Sequence, residues 1–321
     1  MKSRSVGRKG SLKVAHRSED YGFSSVEDAV AAFRSGRMII VVDDEDRENE
    51  GALTIAADKI TPEAINFMAR YGRGLICMPM TTERVDQLDI PLMVSQNTAR
   101  FDTAFCVSIE AKESTSTGIS AGDRAATVRA AMDPETRPAD LASPGHMFPL
   151  RARPGGVLVR SGPPEAAVDL ARIAGLNPAG VICEIMNDDG TMSRVPELAK
   201  FAGLHNLPMI TIADLIKYRM TTECLVKRLA SAKLPTDFGE FRVVAYKNII
   251  GNETHVAMVR GEIGDGQDVV VRVHSRCLTG DVFHSTRCPC RRQLDASLAR
   301  IAQEPRAVLL YLNQDSQGMT L

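Results

Sequence analysis

The chain has 321 residues, 44% apolar and only 5% aromatic, with 39 basic and 40 acidic side chains. That length favours two domains with a sizeable core, while the near-zero net charge gives no bulk attraction to nucleic acid or an anionic membrane, and no apolar run approaches the ~20 residues of a membrane span. Seven dispersed cysteines, an odd number, argue against a disulfide framework and for a reducing compartment.

Residues 1–22 read as a basic leader. Lys2, Arg4, Arg8, Lys9, Lys13 and Arg17 stand among serines with no acid before Glu19, the composition either of an organelle transit peptide or of a disordered basic tail. A transit peptide would place the protein in an organelle stroma such as that of the chloroplast; without one, the cytoplasm is expected. Residues 25–33 then predict a helix, capped by Ser24 or Ser25 with Glu27 and Asp28 in its first turn. The apolar run 38–42 predicts a buried strand, which opens directly into Asp43-Asp44-Glu45-Asp46-Arg47-Glu48-Asn49-Glu50-Gly51. Carboxylates at this density exceed what folding needs, and at a strand end they suit a divalent cation or a polyhydroxy substrate; the plain alternative is a solvated acidic turn.

Thr61-Pro62-Glu63 starts a helix with proline in its first turn. Short strands are expected at 75–78 and 103–110, a helix at 121–132, strands at 156–159 and 181–184, and helices at 165–174 and 196–202. A strand at 207–212 leads into a helix at 213–218. Interleaving of this kind predicts an α+β fold, a mixed sheet covered by helices, over residues 23–222. Residues 223–240 read as a linker. The second domain, 241–321, is β-rich, with strands at 241–246, 255–259 and 269–274 between glycine and asparagine turns. Within it, Cys277, Cys288 and Cys290 are spaced so that three thiolates can reach one zinc ion and leave a fourth position for water, although buried free cysteines are common.

The acidic run resembles the opening motif of 3,4-dihydroxy-2-butanone 4-phosphate synthase, which makes the four-carbon unit of riboflavin from ribulose 5-phosphate. The resemblance continues in the family's order through Gly-Leu-Ile-Cys77, Ser116-Thr117-Gly118-Ile119-Ser120-Ala121, Asp123-Arg124, Pro144-Gly145-His146-Met147-Phe148-Pro149-Leu150-Arg151, Gly155-Gly156-Val157-Leu158, Cys183-Glu184 and Asn187-Asp188-Asp189-Gly190-Thr191-Met192. Alone, His146 would read as a turn residue, Arg160 as a surface charge and Glu184 as a structural carboxylate. The resemblance implies that His146 and Glu184 move protons, that Arg47, Glu48 and Glu184 contact the sugar, that Arg160 and Thr117 hold its phosphate, and that Glu48 ligates magnesium in a homodimer. Arg272-Val273-His274-Ser275, Cys277-Leu278-Thr279-Gly280-Asp281 and Gln293-Leu294 resemble the start of GTP cyclohydrolase II. There the three cysteines hold zinc, and Arg272, His274, Ser275 and Gln293 match residues that contact GTP. The chain thus resembles a bifunctional riboflavin-pathway protein.

Its departures from both families are specific. The synthase family's Arg-x-Gly-His-Thr segment reads Arg160-Ser161-Gly162-Pro163-Pro164, so Pro163 stands for the second magnesium ligand and Pro164 for a phosphate-holding threonine. Ala52 replaces an aspartate facing the sugar hydroxyls, Ser143 an arginine and Cys106 a threonine. Proline brings no ligand atom and no donor. In the cyclohydrolase part, Arg276 and Pro289 replace acids flanking the cysteines, Arg291 replaces a glycine, and Gln314-Asp315-Ser316-Gln317 stands where the family has Gln-Glu-Gly-Arg, shortly before Leu321. The expectation is a weakened magnesium site, impaired or lost synthase activity and, with the cyclohydrolase part truncated, no cyclohydrolase activity; the alternative is a non-catalytic paralogue acting as dimer partner of an active one or as regulator of the pathway.

Overall fold

The computed structural model describes residues 21–44, 47–251 and 253–314. The leader up to residue 20, Glu45 and Asp46 of the acidic run, and Asp315, Ser316, Gln317 and Leu321 lie outside the described residues. The chain divides into two compact units between Tyr218 and Arg219, within the last helix described for the first.

The first unit runs α1 (Val26–Arg34), β1 (Ile39–Val42), β2 (Gly51–Ala56), α2 (Pro62–Phe67), β3 (Cys77–Met80), α3 (Thr82–Gln87), β4 (Ile109–Ala111), α4 (Ala121–Met132), β5 (Leu141–Arg151), α5 (Pro163–Ile173), β6 (Gly180–Glu184), α6 (Val195–His205), β7 (Met209–Thr211) and α7 (Ile212–Thr222). Its strands form one mixed sheet in the order β4-β5-β3-β6-β2-β1-β7. All four residues of β1 are buried. Ile40 and Val42 enter one core with Leu53, Ile65, Met78 and Val128, whereas Ile39 and Val41 enter a second with Phe33, Leu170 and Ile210. Both faces of the sheet are therefore covered, which is why the strand reads as an unbroken apolar run rather than an alternating one. Serine and threonine start the covering helices: Ser25, Thr61 and Ser120 accept backbone N–H bonds from Asp28, Ala64 and Asp123, each cap worth about 1 kcal/mol.

Two expected strands differ. Of 103–110 only Ile109 and Glu110 join β4; upstream, Phe105 and Cys106 make isolated bridges with Leu150 and Leu92, and Pro149, which accepts the Cys106 N–H, has no N–H to return, so the pairing does not extend into a longer ladder. Residues 156–159 contain a 3₁₀ turn, Gly156–Leu158, since Gly155 and Gly156 both have positive φ (94° and 63°) and Val157 N–H turns to the Asp169 carboxylate. His146, beside its Pro-Gly pair, lies not in a turn but within the eleven-residue β5.

In the second unit the expected linker 223–240 is largely strand. Here β8 (Val226–Thr236) and β9 (Gly239–Asn248) form a long hairpin, joined by β10 (Thr254–Arg260), β11 (Val270–Ser275) and β12 (Ala307–Leu312) in the order β11-β12-β10-β9-β8. Almost all of β8 is exposed; an edge strand wet on both faces has no apolar alternation to betray it. Its turn is marked by Gly239 at φ 116° and by Thr236 Oγ1, which accepts the Phe238 N–H. Helix α8 (Cys290–Ala302) packs Leu298 and Ile301 against Phe241, Ala307 and Leu309. No described helix is long and apolar enough to cross a membrane.

Candidate active site

The antiparallel pairing of β1 with β2, Val42 opposite Gly51, makes the acidic run a hairpin loop. Two arginines fix it. Arg47 donates to Asp43 Oδ2 (2.7 Å) and to the Ser161 carbonyl (2.8 Å), and its guanidinium lies 5.5 Å from the centre of the Phe101 ring. Arg194, just before α6, donates to the carbonyls of Glu48 (2.7 Å) and Asn49, the latter in the left-handed region at φ 53°.

The loop edges a cavity of about 170 Å³. Arg47, Glu48, Glu50 and Ala52 line it from the β1/β2 hairpin, Cys77 from β3, Glu184 and Ile182 from β6, and Arg160, Pro163 and Pro164 from the start of α5. Ala52 is the register partner of Glu184. The Glu184 carboxylate accepts the Leu75 N–H (2.9 Å). A Cβ on Gly74 would stand 2.6 Å from both the Glu184 carbonyl and its carboxylate, so the glycine permits this approach. Burial pushes the Glu184 and Glu50 carboxyls up, and the Glu48 charge pushes both the same way. Such groups can hold a proton nearer neutrality than free carboxylates. Burial also raises the Cys77 thiol, keeping it neutral. Arg160 reaches the cavity with its donors already engaged: Nη1 pairs with buried Glu165 (2.5 Å) and Nη2 with Thr103 Oγ1 (2.8 Å) and the Phe101 carbonyl (3.1 Å).

Of the residues singled out in the sequence, Arg47, Glu48, Arg160 and Glu184 thus converge. His146 and Thr117 do not line this cavity. They belong to a second cluster, where His146 Nδ1 lies 2.7 Å from Glu110 Oε2 with its side chain 43% exposed. Gly145 beside it packs so closely on Ile109 that a Cβ would overlap that backbone. Asp123 gathers the Ser116 N–H, the Ser116 hydroxyl and the Gly118 N–H, shaping the loop that carries Thr117. The Ser116 hydroxyl leads in holding the Asp123 carboxyl below the usual carboxylate range. Sequence reasoning missed Arg194, Glu165 and Glu110, whose partners lie 146, 5 and 36 residues away.

Magnesium fits this cavity incompletely. Glu48, Glu50 and Glu184 offer the hard oxygens that the ion takes, but Pro163 and Ala52 contribute no ligand atom.

In the second unit, ligand atoms of Cys277, Cys288 and Cys290 lie within 4.8 Å of one another, and the Cys277 and Cys288 sulfurs are 3.7 Å apart. Gly280 makes room: its Cβ would stand 2.6 Å from the Cys288 sulfur and 3.2 Å from that of Cys277. The Thr279 hydroxyl and the Gly280 N–H hold the Cys277 thiol below its ordinary value. Three sulfurs around a glycine-lined gap suit zinc with one open position. Arg272 and Gln293 are exposed and Ser275 half-buried, whereas His274 is buried with Nε2 3.2 Å from both Asp281 oxygens. His274 thus faces inward, toward Asp281.

Comparison with known proteins matches these two units to two families. The profile of 3,4-dihydroxy-2-butanone 4-phosphate synthase matches residues 27–218, and that of GTP cyclohydrolase II matches residues 227–321. The chain belongs to the 3,4-dihydroxy-2-butanone 4-phosphate synthase family, in its riboflavin-biosynthesis form joined to a GTP cyclohydrolase II segment. It is 58% identical over 304 residues to the riboflavin biosynthesis protein RibBA of Aquifex aeolicus, covering 94% of this chain and 75% of that one. To the chloroplastic bifunctional riboflavin biosynthesis protein of Arabidopsis thaliana it is 50% identical, covering 94% of this chain and 56% of the relative. Among solved structures, a two-domain 3,4-dihydroxy-2-butanone 4-phosphate synthase from A. baumannii is 45% identical with a TM-score of 0.71, over 91% of this chain and 82% of that one. A synthase solved with two magnesium ions is 42% identical with a TM-score of 0.60, over 62% and 98%.

Proposed function

We propose that this family member has a synthase cavity impaired for the conversion of ribulose 5-phosphate to 3,4-dihydroxy-2-butanone 4-phosphate and formate. The observation that carries the reading is the cavity lining, where Pro163, Pro164 and Ala52 stand beside Glu48 and Glu184. Glu184, with its raised carboxyl, and Arg47 remain to exchange protons and to orient hydroxyls. One group that should share a cation's charge with Glu48 and one that should help Arg160 hold the phosphate are gone: both prolines lack side-chain donors, and at the first two positions of α5 they also remove two backbone N–H groups from the helix N-terminus. Losing one ligand of a dication and a neighbouring carboxylate costs several kcal/mol of transition-state stabilisation, at about 1.4 kcal/mol for each tenfold in rate. Manganese binding followed by electron paramagnetic resonance tests this. Weak uptake that Pro163→His strengthens at least tenfold is expected; tight uptake by the unchanged chain would count against it.

A second reading follows from the split between Glu48 and Glu184 on one side and His146 and Thr117 on the other. In a dimer, as homodimer or as heterodimer with an active paralogue, the exposed His146 cluster of one chain can complete the cavity of the next. A chain with a failing cavity and an intact His146–Glu110 pair then still serves its partner. Co-expression with a catalytically competent relative, followed by size-exclusion chromatography, should give a mixed dimer if this holds. The stroma is the proposed location if the basic leader is a transit peptide, as the chloroplastic relative supports. No cyclohydrolase activity is proposed, on the grounds of Arg276, Pro289 and Arg291 around the thiols.

A further inference from the structure

We infer that Asp281 is the positioning residue of the three-cysteine site, fixing Cys277 for zinc without touching the metal; the inference rests on the zinc reading above. Asp281 is 6% exposed and His274 4%, so a carboxylate has been taken out of water and needs compensating partners. It has them. Oδ2 accepts the Cys277 N–H at 3.0 Å and the Tyr311 hydroxyl at 2.8 Å, and both oxygens lie 3.2 Å from His274 Nε2. The Asp281 N–H returns a bond to the Cys277 carbonyl at 2.7 Å, and Arg291 donates to the Asp281 carbonyl at 3.2 Å. The His274 and Tyr311 rings stack at 5.6 Å, so β11 and β12 hold the two side chains in place together.

Asp281 thus ties the first cysteine to two strands of the sheet: its carboxylate holds the Cys277 N–H together with His274 and Tyr311, and its backbone N–H holds the Cys277 carbonyl. Cys288 and Cys290 reach the cluster from the other side, at the start of α8. Cys277 has no regular element of its own, because the chain there turns from β11 into a single wide helical turn, Leu278–Val282. Its sulfur stays in register with the other two because Asp281 fixes its backbone, and outer partners of this kind typically change metal affinity 10- to 100-fold when removed.

The test uses the full chain and its Asp281→Asn variant, with zinc affinity read by competition against a chromophoric chelator and the thiolate set read from the Co²⁺ absorption spectrum. The unchanged chain should hold one zinc, and Asp281→Asn should bind at least tenfold more weakly, with altered Co²⁺ bands. A variant with wild-type affinity and an identical spectrum would overturn the role of Asp281; an unchanged chain that takes up no zinc would overturn the zinc reading itself, and this inference with it. Should Asp281→Asn lose its fold, Tyr311→Phe decides. That variant keeps the carboxylate and removes one restraint, so about threefold weaker zinc supports the role and unchanged affinity refutes it.

Discussion

Glu184 sits where the local backbone leaves no slack, with Leu75 N–H on its carboxylate and Gly74 against its carbonyl. A carboxyl raised by burial is protonated in the folded chain at pH values where the unfolded chain has already released its proton. Such a group favours folding below its ordinary value of 4.5, and the contribution is lost as pH rises through the higher folded value. Urea unfolding at a series of pH values should therefore show stability falling as pH rises from 4.5 through the higher folded value, with a shallower slope in Glu184→Gln, which keeps an acceptor for Leu75. An identical slope in the two proteins would deny the shift. Gly74→Ala should cost about 1–3 kcal/mol, the usual range for forcing atoms into filled space, as read by the same unfolding curves. At this scale Arg47, Glu48, Arg160 and Glu184 were legible because each stands in a contiguous family block. Arg194 was not: its contact with Glu48 spans 146 residues, and no local pattern signals it.

Among the elements, α5 shows how a helix accepts two prolines at its start and keeps its fold. Proline in the first turn needs no N–H partner and has the right φ, so Pro163 and Pro164 leave the helix intact. Pro163→Ala/Pro164→Ala should change stability by no more than about 1 kcal/mol in thermal unfolding. The acidic hairpin depends more on distant anchors. In Arg194→Gln, hydrogen exchange should quicken for the amides of residues 47–50 while the paired β1 and β2 amides stay protected; equal protection throughout would show that Arg194 is dispensable. Strand and helix legibility followed burial. The two-faced core made β1 obvious, and a capping serine made α1 obvious, whereas β8 was read as a linker because nothing buries it. The Pro144-Gly145 pair concealed β5, whose register with β3, Cys77 opposite Phe148, is a tertiary fact.

For the whole molecule, the two units own separate cores: three clusters cover the first sheet, and a smaller pair built on Phe241 and Val244 serves the second. Calorimetry of the zinc-loaded chain should resolve two transitions, and a chelator should lower only the one belonging to the second unit, since metal binding there is folding free energy. One cooperative transition shifted as a block would contradict that division. The central claim concerns the first unit: its architecture is that of the family, while the proposal is that Ala52, Pro163 and Pro164 impair the chemistry of its cavity. Formate release from ribulose 5-phosphate with magnesium tests it most directly, comparing the unchanged chain with Ala52→Asp/Pro163→His/Pro164→Thr. The account predicts formation in the unchanged chain at least a hundredfold slower than in the restored triple variant, about 2.7 kcal/mol in barrier height; equal rates in the two proteins would contradict it.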